Sequence, residues 1–224
     1  ALRLLLSFIT LLSVLAVFSR GSLRIQKTDI LLFAAFGLFG VALQRISYFY
    51  AVNLTTVTTA AILFYTYPVF VTLTASAFMK EKISLFQIAA ILMTFLGVAL
   101  VVKVYDTSTL SNNALGIAFG VLSSILFIIY FMMVKKLRNR YASWTITLYG
   151  ELVGAIVLTP IIAVSTSQIL AFPYQLWLII LIIALVPSLL AYLLYSTAVK
   201  HVKASKGSTL GVIEPLSAAL LSSA

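Results

Sequence analysis

Apolar residues run along this chain in long stretches separated by short polar ones. Eight stretches lie near 1–18, 30–50, 56–79, 84–102, 114–134, 143–164, 174–198 and 205–224. Each approaches or reaches the roughly 17–25 apolar residues that a helix needs to cross a bilayer. Backbone amides and carbonyls in lipid must be satisfied within the segment, so the pattern predicts helices. A barrel would need strands alternating lipid-facing and lumen-facing residues. The run Leu178-Ile-Ile-Leu-Ile-Ile-Ala184 does not alternate. Tyr105, Tyr141, Trp144, Tyr174 and Trp177 fall near the ends of stretches, where amphipathic rings favour the membrane interface.

Composition agrees. Of the 224 residues, 62% are hydrophobic and 9% charged, and the mean hydropathy is +1.16. A soluble domain carries about a quarter charged residues, so lipid is the expected solvent and partner. With no cysteine, disulfides and thiolate metal sites are excluded. No metal site and no cofactor is expected.

The net charge of +10 raises the possibility of nucleic acid, but the placement of the charges speaks against it. Basic residues cluster in alternate loops: Arg20, Arg24 and Lys27; Lys80 and Lys82; Lys135, Lys136, Arg138 and Arg140; Lys200, Lys203 and Lys206. The intervening loops hold only Lys103. Short basic loops stay cytoplasmic, so these four are expected inside. A nucleic-acid surface would gather its cations on one folded face with stacking aromatics.

Shifting the sequence by 147 residues lays Tyr48–Ala77 on Tyr195–Ala224 without a gap. Tyr48, Ala51, Val52 and Pro68 are among the residues that meet their own kind. The charges do not: Asn53, Thr56 and Thr59 fall on Lys200, Lys203 and Lys206, and the basic loop 20–29 falls on uncharged 167–176. Corresponding loops on opposite sides of the membrane mark an inverted-topology repeat. The expected fold is therefore an all-α integral membrane protein made of two five-helix units. Residues 1–103 form a first repeat lacking its first helix, and 114–224 a second lacking its last. Ten helices are expected when complete, with about eight here.

Ser47-Tyr-Phe-Tyr-Ala-Val52, Thr59-Ala-Ala-Ile-Leu-Phe-Tyr-Thr-Tyr-Pro-Val-Phe70 and Lys80-Glu-Lys82, with Gly211-Val-Ile-Glu-Pro-Leu216 in the second half, resemble EamA-type members of the drug/metabolite transporter superfamily. The resemblance covers essentially the whole chain. It implies ten helices, alternating access and movement of small metabolites, without naming the solute.

Charge inside a membrane is costly and therefore a functional candidate by default. Arg3, Arg45, Glu151 and Glu214 qualify. Glu214 and Glu151 lie near the middle of their stretches and could exchange a proton or bind a cationic group. The bland reading is a structural acid bonded to neighbouring hydroxyls. Arg3 and Arg45 lie nearer helix ends, where they can snorkel instead. Pro68 and Pro215 are repeat-equivalent, and each removes a helical hydrogen bond, freeing the carbonyls of Phe64 and Gly211. Paired interruptions point to a central site, although a packing kink explains them equally well. Tyr65 and Tyr67 flank Pro68 and could stack on a solute. Gly116/Gly120, Gly150/Gly154 and Gly207/Gly211 have the spacing of close helix seams. His201, the only histidine, sits in a basic loop.

The expected function is a secondary transporter, and an exporter, in a bacterial plasma membrane. A small solute is its partner and a proton a candidate coupling ion; nucleic acid is not expected, and the oligomeric state is not legible. The alternatives are a membrane-embedded enzyme, short of His, Cys and embedded Asp, and a channel or scaffold, which would favour rings of like groups. No catalytic residue is expected.

Overall fold

The computed structural model describes residues 2–79, 83–102, 107–164 and 172–202. The described residues are helical, with no β-strand among them. In chain order the helices are α1 (Leu2–Phe18), α2 (Ile30–Ala35), α3 (Gln44–Leu54), α4 (Val57–Phe64), α5 (Tyr67–Met79), α6 (Leu85–Val102), α7 (Thr107–Leu137), α8 (Ser143–Val164), α9 (Tyr174–Ile183) and α10 (Ala191–Val199). Two π-helical segments join neighbours into longer helices: Phe36–Leu43 between α2 and α3, and Ala184–Leu190 between α9 and α10. Three described helices, Lys27–Leu54, Val57–Phe78 and Asn113–Leu137, are long and apolar enough to cross a membrane, while Leu2–Phe18, Leu85–Leu100 and Tyr174–Val186 are shorter apolar helices.

Seven of the eight apolar stretches are thus helical where described. The stretch 205–224 lies outside the described residues, and with it Glu214, Pro215, Gly207 and Gly211. Two expectations are refined. The stretch 56–79 is two helices, α4 and α5, rather than one. The stretch 114–134 is only the apolar part of α7, whose ends carry polar residues beyond the hydrophobic run.

Local chemistry sets several boundaries. Thr56 caps α4 by accepting the Thr59 amide at 3.1 Å, satisfying one of the donors left open at a helix start. Ser84 and Gln87 form a reciprocal box at the start of α6: the Ser84 amide donates to Gln87 Oε1 at 2.8 Å, and the Gln87 amide to Ser84 Oγ at 3.3 Å. Leu85, Phe86, Leu92, Met93, Leu96 and Leu100 on α6 are exposed. In a chain this apolar, lipid is the medium that would cover them.

The chain divides into two compact units, Ala1–Ala42 with Met132–His201, and Leu43–Phe131 with Val202–Ala224. Compactness and sequence repeat are different partitions, because the first unit draws helices from both halves. In that unit α1 packs against α8, with Leu11, Leu15 and Leu148 at the core and Phe8, Leu23, Tyr149 and Leu189 around them. Gly37, Gly150 and Gly154 let the backbones approach. A Cβ on Gly37 would collide with Val153; one on Gly150 would lie 2.6 Å from the Phe36 ring, and one on Gly154 2.8 Å from Val41. In the second unit a Cβ on Gly120 would lie 2.6 Å from Leu63, and one on Gly116 2.8 Å from Leu54. Both described glycine pairs therefore are packing seams.

Candidate functional site: a helix break in one unit, buried charge in the other

The break between α4 and α5 is built around Pro68. Tyr65 closes α4 with φ −69° and ψ 5°, and Pro68 occupies the first turn of α5, where its missing N–H and fixed φ are tolerated. The carbonyl opened by that missing amide is Phe64 O. Ser124 on α7 approaches it, with Oγ 2.8 Å from Phe64 O and 2.6 Å from Leu63 O. The Thr66 hydroxyl donates to Leu63 O at 2.7 Å and stands 3.0 Å from Ser124 Oγ. The Thr66 amide also reaches Leu63 O, at 3.2 Å.

Aromatic rings surround this cluster. Phe64 meets Tyr48 at 5.7 Å, Tyr65 at 5.6 Å, Tyr67 at 5.4 Å and Phe127 at 5.3 Å between centroids. Tyr67 and Phe127 are 4.5 Å apart, and Phe127 stacks on Tyr130 at 5.2 Å. These are the offset and edge-on arrangements that ring quadrupoles favour. Tyr65 is half-buried; Tyr67 is buried among the rings. Arg45, in the same unit, is buried at the start of α3 near Gln44 and Ser47.

In the other unit Glu151 is buried near the centre of α8, between Gly150 and Gly154. Arg3 is half-buried on α1. The structure thus groups Tyr65, Tyr67, Pro68 and Arg45 in one unit, and Glu151 and Arg3 in the other.

Sequence reading missed a second polar cluster. Asp29, just before α2, is buried and accepts the Tyr141 hydroxyl at 2.6 Å and Arg140 Nη1 at 3.2 Å. Tyr141 Oη in turn accepts the Gln26 amide at 3.1 Å, and its ring meets Phe33 edge-on at 5.2 Å. Desolvation by burial, followed by the bond donated to Asp29, raises the Tyr141 pKa above its ordinary 10.0. The phenol therefore keeps its proton and remains a donor. This contact joins the basic loop 20–29 to the turn 138–141 that follows α7. An acidic residue within a basic loop was the available signal. Ser124 had none: one serine in an apolar helix carries no motif.

A family model described as the EamA-like transporter family matches residues 1–103 and, separately, 114–224. An uncharacterized transporter of Archaeoglobus fulgidus is 30% identical over 175 residues, 78% of this chain and 60% of that protein. One from Clostridium kluyveri is 26% identical over 203 residues, covering 89% of this chain and 65% of its own length. The uncharacterized transporter YetK of Bacillus subtilis is 27% identical over 233 residues, 99% of this chain and 68% of that protein. The chain thus spans under two thirds of the length of the first two relatives. No solved structure matches. The apolar helices agree with the family match over both halves: this chain belongs to the EamA-like transporter family, a family of helical membrane transporters.

Proposed function

We propose that this chain is the repeat core of a secondary transporter that moves a small metabolite or drug-like solute by alternating access, in the export direction. One observation carries the reading. Under the 147-residue shift, the π segment Phe36–Leu43 falls on 183–190, and the second π segment is Ala184–Leu190. Gly40 falls on Pro187, so a residue that weakens a helix stands at the same place in both halves. π segments are rare and gather at functional sites. Their coincidence in the register that the identical residues set supports a duplicated five-helix unit, as do the separate family matches to 1–103 and 114–224.

In this reading the Pro68 break borders the solute path, and Tyr65 and Tyr67 line it, with Arg45 as a charge in the same unit. Glu151, with Arg3 in its own unit, is a candidate proton or cation site, and the sequence adds Glu214 and Pro215 as candidates outside the described residues. Lipid is the solvent, and the bacterial plasma membrane, multi-pass, is the proposed location. The basic loops, Arg140 and Lys27 among them, face the cytoplasm.

The test is counterflow in proteoliposomes of the full-length protein, with a panel of labelled amino acids, nucleosides, sugars and organic cations. Saturable counterflow of any one supports a carrier. Electrodiffusive current instead would indicate a channel, and a chemically altered product an enzyme; either result overturns the reading.

A further inference from the structure

Pro68 leaves the Phe64 carbonyl without the amide that an unbroken helix would supply. Leu63 O is already well served, by the Thr66 amide at 3.2 Å and the Thr66 hydroxyl at 2.7 Å. The Ser124 hydroxyl, with one proton to give, lies 2.6 Å from Leu63 O and 2.8 Å from Phe64 O; with Leu63 O already served twice, Phe64 O is the acceptor that needs it. Leu63, Thr66 and Ser124 are buried at 0%, 4% and 0% exposure, whereas Phe64 is half-buried. Of these residues Phe64 is the one that retains exposed surface.

We propose that Ser124 is a positioning residue for solute passage: it holds the Phe64 carbonyl toward α7, fixing the α4–α5 break, and releases that carbonyl to a hydrogen-bond-donating group of the solute. The proposal rests on the reading of the Pro68 break as part of the solute path. An N–H or O–H of the solute is the chemistry that a bare helix carbonyl recognises. The exchange is energetically modest because the donor that leaves is a neutral hydroxyl, which turns about one bond. A solute donor then replaces a bond of ordinary strength rather than a charged pair. The position of the carbonyl at the C-terminal end of α4 adds a partial negative charge that favours such a donor.

The experiment is a cycle of Ser124→Ala, Pro68→Ala and the double variant, with Ser124→Thr, in the full-length protein. Two quantities are read: the melting temperature in detergent, and the rate at which N-ethylmaleimide labels a cysteine placed at Tyr65, the 224 residues here holding none and any cysteine elsewhere in the full-length protein being replaced by serine. With Pro68 present, Ser124→Ala should lower the melting temperature by about 2–4 °C and speed labelling several-fold. In the Pro68→Ala background the new backbone amide can satisfy Phe64 O. There the Ser124→Ala change should cost less than half as much and leave labelling unaltered. Ser124→Thr, which keeps the hydroxyl, should behave as the parent. Equal losses with and without the proline would mean that Ser124 merely packs, and the proposal fails. If Ser124→Ala does not accumulate, the double variant decides: its recovery supports the clasp and its failure overturns it. Neither quantity requires flux, so a negative result here leaves the transport reading standing, and failed counterflow leaves the clasp standing.

Discussion

The Tyr141 hydroxyl lies 2.6 Å from Asp29 Oδ2 and ties two loops that are 112 residues apart in sequence. Arg140 reaches the same carboxylate at 3.2 Å, but its side chain is 63% exposed against 8% for Asp29. The two partners should therefore contribute unequally. A short bond to a buried carboxylate contributes about 1.5–3 kcal/mol, while an exposed ion pair contributes about 0–1 kcal/mol. Tyr141→Phe should lower the melting temperature clearly, Arg140→Ala hardly at all. Equal losses in a thermal melt would show that the cation, not the phenol, holds the loop.

The same phenol predicts an alkaline limit. Its pKa is raised above 10.0 in the folded protein, by desolvation first and by donation to Asp29 second. An acid whose folded pKa exceeds its unfolded one contributes stability in full below the unfolded value and loses it as pH rises through the folded value. Stability should therefore fall above about pH 10, and less steeply in Tyr141→Phe. Melting curves at successive alkaline pH values check this; parallel decline in both proteins would contradict it.

Glycines should sort by what a methyl group would meet. Gly37→Ala drives a Cβ into Val153, a β-branched side chain that cannot swing aside, whereas Gly97→Ala on α6 meets nothing within 4 Å. The first should destabilise by about 1–3 kcal/mol through overpacking. The second should be neutral or stabilise by up to about 1 kcal/mol through helix propensity. Denaturation in detergent reads both; a tolerated Gly37→Ala would mean that the seam can open.

Local chemistry was legible in the sequence and distant registry was not. Hydrophobic runs predict the helices because burial in lipid depends only on composition over about twenty residues. Pro68 was legible as an interruption because proline acts on its own helix; that it divides the stretch 56–79 into two helices was not. That Ser124 answers it depends on how α7 lies beside α4, which no spacing rule encodes across 60 residues. Tyr141 was read as an interfacial ring, and Asp29 only ended a loop read as basic; their meeting is what makes a lock. The π segments escaped because both lie in runs apolar on nearly every side, where a change of helical period leaves no mark in the hydrophobic pattern. The two described glycine seams, Gly116/Gly120 and Gly150/Gly154, were legible from spacing, since close approach needs small residues whichever helix arrives.

Loop topology is testable in intact cells of a bacterial host expressing the full-length protein. Single cysteines at Gln26 and Asn139 should resist an impermeant thiol reagent, and one at Ser111 should react. Gln26 and Asn139 ought to agree with each other, because the Gln26 amide bonds to Tyr141, two residues beyond Asn139. Labelling of Asn139 from outside would sink the inverted-repeat reading.

Glu151 offers the sharpest test of whether buried charge in this chain serves transport or folding. It is 4% exposed, near the centre of α8, between two glycines that bring other backbones close. Glu151→Gln preserves shape and removes the charge. A carboxylate kept for structure in such a place belongs to a balanced set, and breaking a buried pair costs about 3–5 kcal/mol. That would appear as lost expression or a melting temperature lower by many degrees. A carboxylate kept for coupling has to change its proton or partner during the cycle. The neutral form is then one of its working states, and the Gln variant should fold nearly normally. We expect the second outcome: near-parental melting, with counterflow abolished or its pH dependence flattened. The same substitution at Glu214, which meets Tyr67 under the 147-residue shift, tests the second candidate acid in the same way. Normal pH-dependent counterflow in both single variants would remove the acids from the mechanism. A large stability loss in Glu151→Gln with normal specific flux would return that residue to the structural reading and leave Tyr65 as the next position to vary.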